Sequence, residues 1–223
     1  MNIPLFLAAE TAPVAQELSI LSLVFDRASL WIMIPLMLML VWVIYVFVER
    51  LLAINAASKE DRNFMNNIRD FIHGGRLDSA VALCKGNDAP LARMIEKGLS
   101  RIGKPLNDIS AAIENTGQLE VQRLEKRVSS LGTISGIAPM IGFLGTVVGM
   151  VIAFHAMASD PNNLNVAKLS SGIYTAMITT VGGLIVGIIA FVCYNILVAR
   201  IARLVNMLEA KSTEFMDLLH EPV

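Results

Sequence analysis

A chain of 223 residues with 55% hydrophobic residues and a mean hydropathy of +0.61 lies well outside the range of soluble domains. Its 18 basic against 19 acidic side chains, net −1, give no reason to expect nucleic acid or an acidic ligand. Cys84 and Cys193 stand far apart, one inside an apolar run, so they suggest neither a disulfide framework nor a metal site and read as small apolar residues.

The opening MNIPLFLAAETA lacks the positive n-region of a cleaved signal peptide, and no cleavage is expected. Between Pro13 and Asp26, Val14, Leu18, Leu21, Val24 and Phe25 recur at helical spacing, predicting an amphipathic helix on the membrane surface within segment 1–29. A plain continuation of the first span is the alternative.

Crossing a hydrocarbon core about 30 Å thick takes roughly 20 helical residues. The first span is 30–48, LWIMIPLMLMLVWVIYVFV, free of charge and flanked by Asp26, Arg27, Glu49 and Arg50. The second, 131–158, and the third, 169–199, exceed the minimum, which a tilted or protruding helix accommodates. Thirteen Lys and Arg fall within segment 49–130, against only Lys168 in the loop 159–168, and the tail 200–223 opens with Arg200 and Arg203. The positive-inside rule therefore places the N-terminus outside and segment 49–130 and the C-terminus in the cytoplasm. Membrane lipid is the surrounding partner.

Segment 49–130 reads as helical hairpins. Asp61 to Ile72 and Leu77 to Cys84 are amphipathic runs separated by Gly74-Gly75, and Leu91 to Ile102 is closed by Gly103 and Pro105. From Asn107 a helical pattern runs without a strong breaker towards Leu131, so the second span is expected to extend into the cytoplasm. The third continues into the tail with Ile201, Leu204, Leu208, Phe215, Leu218 and Leu219 as an apolar stripe. The fold class is thus all-α: an integral membrane protein with three transmembrane helices, two of them extending into a helical cytoplasmic region. That region offers no nucleophile with a base, no metal-ligand spacing and no phosphate loop; His73 and His220 are isolated, and Gly74-Gly75 is better read as a turn. No enzyme and no cofactor is expected.

In the spans, small residues recur at helical spacing: Gly142, Gly145, Gly149 and Ala153, then Gly172, Ala176, Gly183 and Gly187. Such stripes let helix backbones approach closely in lipid. Thr146, Thr175, Thr179 and Thr180 sit among them, with Ser135 nearer the cytoplasm. Their hydroxyls can line a hydrated path or bond the carbonyl one turn back in their own helix. Pro139 removes a helix hydrogen bond opposite the Ser135 carbonyl, predicting a local kink that is either a hinge or a passive bend. His155, near the outer end of its span, reads as an ordinary interfacial histidine or a titrating one.

The stretch IAPMIGFLGTVVGMVIAF, 137–154, resembles the signature of the MotA/TolQ/ExbB proton-channel family, and GIYTAMITTVGGLIVGIIAFVCYN, 172–195, resembles its second block. The resemblance implies a bacterial inner-membrane homopentamer around the transmembrane helices of two ExbD-like or TolR-like subunits, acting with a TonB-like protein. It places the family's pore threonines on Thr146 and Thr180, and a glutamate common in the family on Thr175, which cannot hold a proton at physiological pH. No carboxylate lies between Glu125 and Asp160 or between Asp160 and Glu209, so the spans hold no acidic proton carrier. A partner aspartate is expected to supply the charge-changing group. The resulting expectation is the channel-scaffold subunit of an ion-driven motor that energises TonB-dependent transport across the outer membrane. A TolQ-like role in envelope maintenance or gliding, or a passive scaffold without ion flux, is the alternative.

Overall fold

The computed structural model describes residues 27–58, 63–159 and 166–220, with side chains from 30 and from 169 in the first and last of these. The helix expected before Asp26 and most of the loop 159–168 lie outside the described residues. Within them the chain is helical: α1 (Arg27–Ala57), α2 (Phe64–His73), α3 (Leu77–Lys85), α4 (Pro90–Leu99), α5 (Leu106–Glu125), α6 (Val128–Ser159) and α7 (Val166–His220). No strand occurs among the described residues. Among the described residues three helices, α1, α6 and α7, are long and apolar enough to cross a membrane.

Each spanning helix is longer than its apolar run. Leu51, Leu52, Ala53 and Ile54 carry α1 beyond Val48 to Ala57 because good helix formers follow the charged pair Glu49-Arg50. The pattern expected to run from Asn107 into the second span is instead two helices, parted by a turn at Lys126-Arg127. By contrast, α7 is continuous from Val166 to His220.

The short helices begin and end for local reasons. Gly75, with φ 67°, takes the left-handed position after α2, where its N–H bonds the Ile72 carbonyl and the Arg76 N–H bonds the Phe71 carbonyl. This is a Schellman closure, which favours glycine there. Asp78 in the first turn of α3 and Lys85 in its last complement the helix dipole. Pro90 opens α4, where its missing N–H costs no helix bond, and the Asn87 side-chain oxygen accepts from the Ala89 N–H at 3.0 Å.

The chain divides into two compact units, one taking residues up to Leu36 together with Met140–Gly183, the other Met37–Pro139 with Leu184–Val223. The core of the second unit gathers Ile68 of α2, Ile95 of α4, Ile113 of α5, Leu131 of α6 and Leu197 and Phe215 of α7, all fully buried. On α7 the buried residues Leu197, Ile201, Leu204, Leu208, Phe215 and Leu218 follow helical spacing on one face. Burying each such side chain stabilises the fold by about 1.5–3 kcal/mol before cavity effects. Gly98 lets α4 close in, since a Cβ there would stand 2.8 Å from Ile113 and from Phe215. The first unit has a leaner interior of Met33, Leu36, Ala153, Thr175, Ala176 and Thr179. Large apolar side chains cover its exterior, among them Phe143, Leu144, Val151 and Met177, as lipid or a neighbouring helix requires.

Candidate functional site

The first unit is organised by the close antiparallel approach of α6 and α7. A Cβ at Gly142 would lie 2.8 Å from the Thr179 carbonyl oxygen, 3.0 Å from Gly183 Cα and 3.1 Å from Thr180 Cα. Further along, a Cβ at Gly149 would come within 2.7 Å of Ala176 Cβ, and one at Gly172 within 2.9 Å of Ala153 Cβ. The small residues of one helix thus meet those of the other in register. In lipid this packing, rather than the hydrophobic effect, holds helices together. A Cβ at Gly145 would meet the Thr179 side chain and, at 3.0 Å, Ile32 of α1. Gly182 faces α1 in its turn, where a Cβ would stand 3.2 Å from the sulfur of Met33.

Because the backbones approach so closely, hydroxyls reach across the seam. Thr146 Oγ1 bonds Thr180 Oγ1 directly. Thr146 Oγ1 also lies 3.2 Å from the Ala176 carbonyl, and Thr180 Oγ1 lies 3.0 Å from the Gly142 carbonyl. Two hydroxyl hydrogens serve these three contacts, and each carbonyl already accepts a helical N–H four residues on. A hydroxyl can therefore turn towards a visiting carboxylate, water or cation without orphaning a buried group. Both residues are half-buried, so the pair sits at the surface of the unit, not inside it.

The other two threonines are placed differently. Thr179 is 2% exposed and donates to the Ala176 carbonyl at 2.6 Å, with the Gly142 carbonyl 3.3 Å away. Thr175 is buried as well, at 8% exposure. Thr179 backs the seam, whereas Thr146 and Thr180 face out of it. In the second unit, Pro139 sits within an unbroken α6, and Gly187 receives its ring: a Cβ at Gly187 would be 2.6 Å from Pro139 Cγ and 3.2 Å from the Ser135 carbonyl oxygen. That carbonyl is the one whose helical donor the proline removes. His155 is exposed near the end of α6.

Two features escaped sequence reasoning. The backbone carbonyls of Gly142 and Ala176 complete the threonine pair, and only the inter-helix register reveals them. Glu120, 4% exposed, accepts from Arg93 and from Arg123, each at 2.6 Å. The Arg93 partner is 27 residues away, beyond any local pattern. Among the described residues no group of His, Cys, Asp and Glu is arranged to hold a metal ion.

Residues 86–210 match the model of the MotA/TolQ/ExbB proton channel family, a stretch that contains the whole threonine seam. The chain is 31% identical over 120 residues to a biopolymer transport protein ExbB homolog of Methanothermobacter thermautotrophicus, covering 54% of this chain and 42% of that one. It is 36% identical over 98 residues to the Tol-Pal system protein TolQ of Haemophilus influenzae, covering 44% and 41%. To the biopolymer transport protein ExbB of Neisseria meningitidis it is 26% identical over 198 residues, covering 79% and 86%. The chain thus spans less than half of the first two relatives and most of the third.

Proposed function

Since the chain belongs to the MotA/TolQ/ExbB proton channel family, we propose that it is the channel-scaffold subunit of an ExbB–ExbD-type motor that uses the proton motive force to energise TonB-dependent transport across the outer membrane. It is a membrane protein of the bacterial inner membrane. Its N-terminus faces the periplasm and its C-terminus the cytoplasm. The observation that carries the reading is the Thr146–Thr180 hydroxyl pair, held at an outward-facing seam of a span region without any carboxylate.

Five copies surround the membrane helices of two ExbD-like subunits, each bringing an aspartate to the threonine ring. Deprotonated, that aspartate accepts from Thr146 or Thr180; protonated, it is held less firmly, because hydrogen bonds to a charged acceptor are roughly twice as strong as neutral ones. Proton passage therefore changes the affinity of each partner helix for the ring and biases its movement. Thr179 braces the seam from behind, and Gly142, Gly145, Gly149, Gly183 and Gly187 let it close. Five-against-two symmetry keeps successive states near in energy, because no arrangement satisfies every contact at once.

The match to a Tol-Pal system protein supports a second assignment within the same mechanism, a TolQ-like role in envelope maintenance. Co-purification with the product of the adjacent gene separates the readings. An ExbD-like partner at a five-to-two mass ratio supports the transport motor, a TolR-like one supports the second assignment, and a lone oligomer refutes both.

A further inference from the structure

We propose that the cavity walled by Arg50, Arg93 and Arg123 binds a phosphate group, presented at the membrane surface by an anionic lipid headgroup. The cavity, of about 530 Å³, lies in the second unit where the end of α1, the start of α4 and the end of α5 meet. Three guanidiniums bring five N–H donors each, fifteen in all. Four hydrogen bonds engage them: Arg50 to Glu49 and to the Arg123 carbonyl, and Arg93 and Arg123 to Glu120. Among the described residues, the buried side-chain polar atoms without a partner are the Nε atoms of Arg50 and Arg93. The surplus is of donors, arranged in planar forks that suit phosphate oxygens.

Charge agrees in sign. Glu120 and Asp88 also line the cavity and Glu49, outside the lining, is shared by Arg50 and Arg127, so four arginines meet three carboxylates. Glu120 acts as a brace, one oxygen to each of two arginines. The amino end of the ten-residue α4, at Ala89 and Pro90, adds the positive end of a helix dipole to the same wall.

Position selects the lipid as the source. At 1.5 Å per residue, α1 rises about 28 Å from the exposed Trp31 to Arg50, close to the hydrocarbon thickness, so Arg50 leaves the bilayer at the headgroup layer. Val41, Tyr45, Val48 and Leu52 form one exposed stripe along α1, and Ala56, one turn further, lines the cavity. An acyl chain lying on that stripe brings its phosphate to the arginines.

The test uses the full chain in its native oligomer, delipidated in detergent, with bound ligand read by native mass spectrometry. Phosphatidylglycerol is expected to be retained at least about tenfold more strongly than phosphatidylcholine. Arg123→Gln, at a largely exposed side chain, and Ala56→Phe, which obstructs the cavity without changing charge, each lower that retention about tenfold. Arg127→Gln, at the same level but outside the lining, leaves it unchanged. Inorganic phosphate bound with the same variant dependence, without lipid retention, overturns the lipid as the source and keeps the phosphate site. Loss of retention in Arg127→Gln equal to that in Arg123→Gln, retention indifferent to Ala56→Phe, or binding of neither ligand overturns the site.

Discussion

Replacing Gly142 by alanine places a methyl group against backbone on three sides, with no flexible side chain available to yield. The new carbon would lie 3.0 Å from Gly183 Cα and 3.1 Å from Thr180 Cα, where carbon atoms rest about 3.5–4.0 Å apart. The helices must separate by about half an ångström or more. Overpacking of this kind costs about 1–3 kcal/mol, against about 1 kcal/mol that alanine gains over glycine inside a helix. The Thr180 to Gly142 hydrogen bond, now 3.0 Å, stretches towards its limit and the hydroxyl pair loses its setting. Gly136→Ala on the same helix is the control, because a Cβ there meets nothing within 4 Å. We expect Gly142→Ala to lower the melting temperature of the detergent-solubilised protein by several degrees and to cut ion flux of the partnered complex about tenfold, with Gly136→Ala matching the parent in flux and melting at or slightly above it, because an unhindered helical alanine gains about 1 kcal/mol over glycine. Equal behaviour of the two variants would refute the close α6–α7 contact as the basis of the seam.

Glu120→Ala should cost about 2–3 kcal/mol in thermal or denaturant unfolding, since it strands two arginines around a buried position, whereas Arg123→Gln should cost under about 1 kcal/mol because Arg123 is mostly exposed. Gly75→Ala forces a side chain into a left-handed backbone position and should destabilise the second unit by about 1 kcal/mol, visible as faster hydrogen exchange in α2. Burial, aided by the nearby Glu96 charge, pushes the Cys84 thiol up to about 12. At pH 8 it should resist maleimide until the protein is denatured. The folded state favours the neutral thiol, so its contribution to stability is complete below the ordinary thiol range near 8.5 and declines as pH rises from there towards 12.

The spans were legible because apolar runs such as 30–48 have no other use in a chain of this composition, and Gly75 and Gly103 marked turns because both take positive φ. The ends of the helices were less legible. Apolar content reports the lipid boundary and not the helix boundary, so α1 outlasts Val48, and the turn at Lys126-Arg127 contains neither glycine nor proline. Residue type singled out four threonines, and only the family resemblance set Thr146 and Thr180 apart from Thr175 and Thr179. Spacing could not separate Thr179, buried in the seam, from its neighbour Thr180, which looks outward, since that depends on the rotation of α7 against α6. The Arg93–Glu120 pair and the arginine-lined cavity are tertiary, joining residues from three helices, and no local pattern announces them.

The central claim is that the hydroxyls of Thr146 and Thr180 carry an ion path completed by a partner's carboxylate. The most direct test is proton flux into vesicles holding this chain and its adjacent-gene partner, comparing the parent with Thr146→Val and Thr180→Val. Valine keeps the shape and removes the hydroxyl, so each variant should assemble normally and lose flux about tenfold or more. Undiminished flux in both variants, with assembly intact, would contradict the account and leave the chain a passive scaffold.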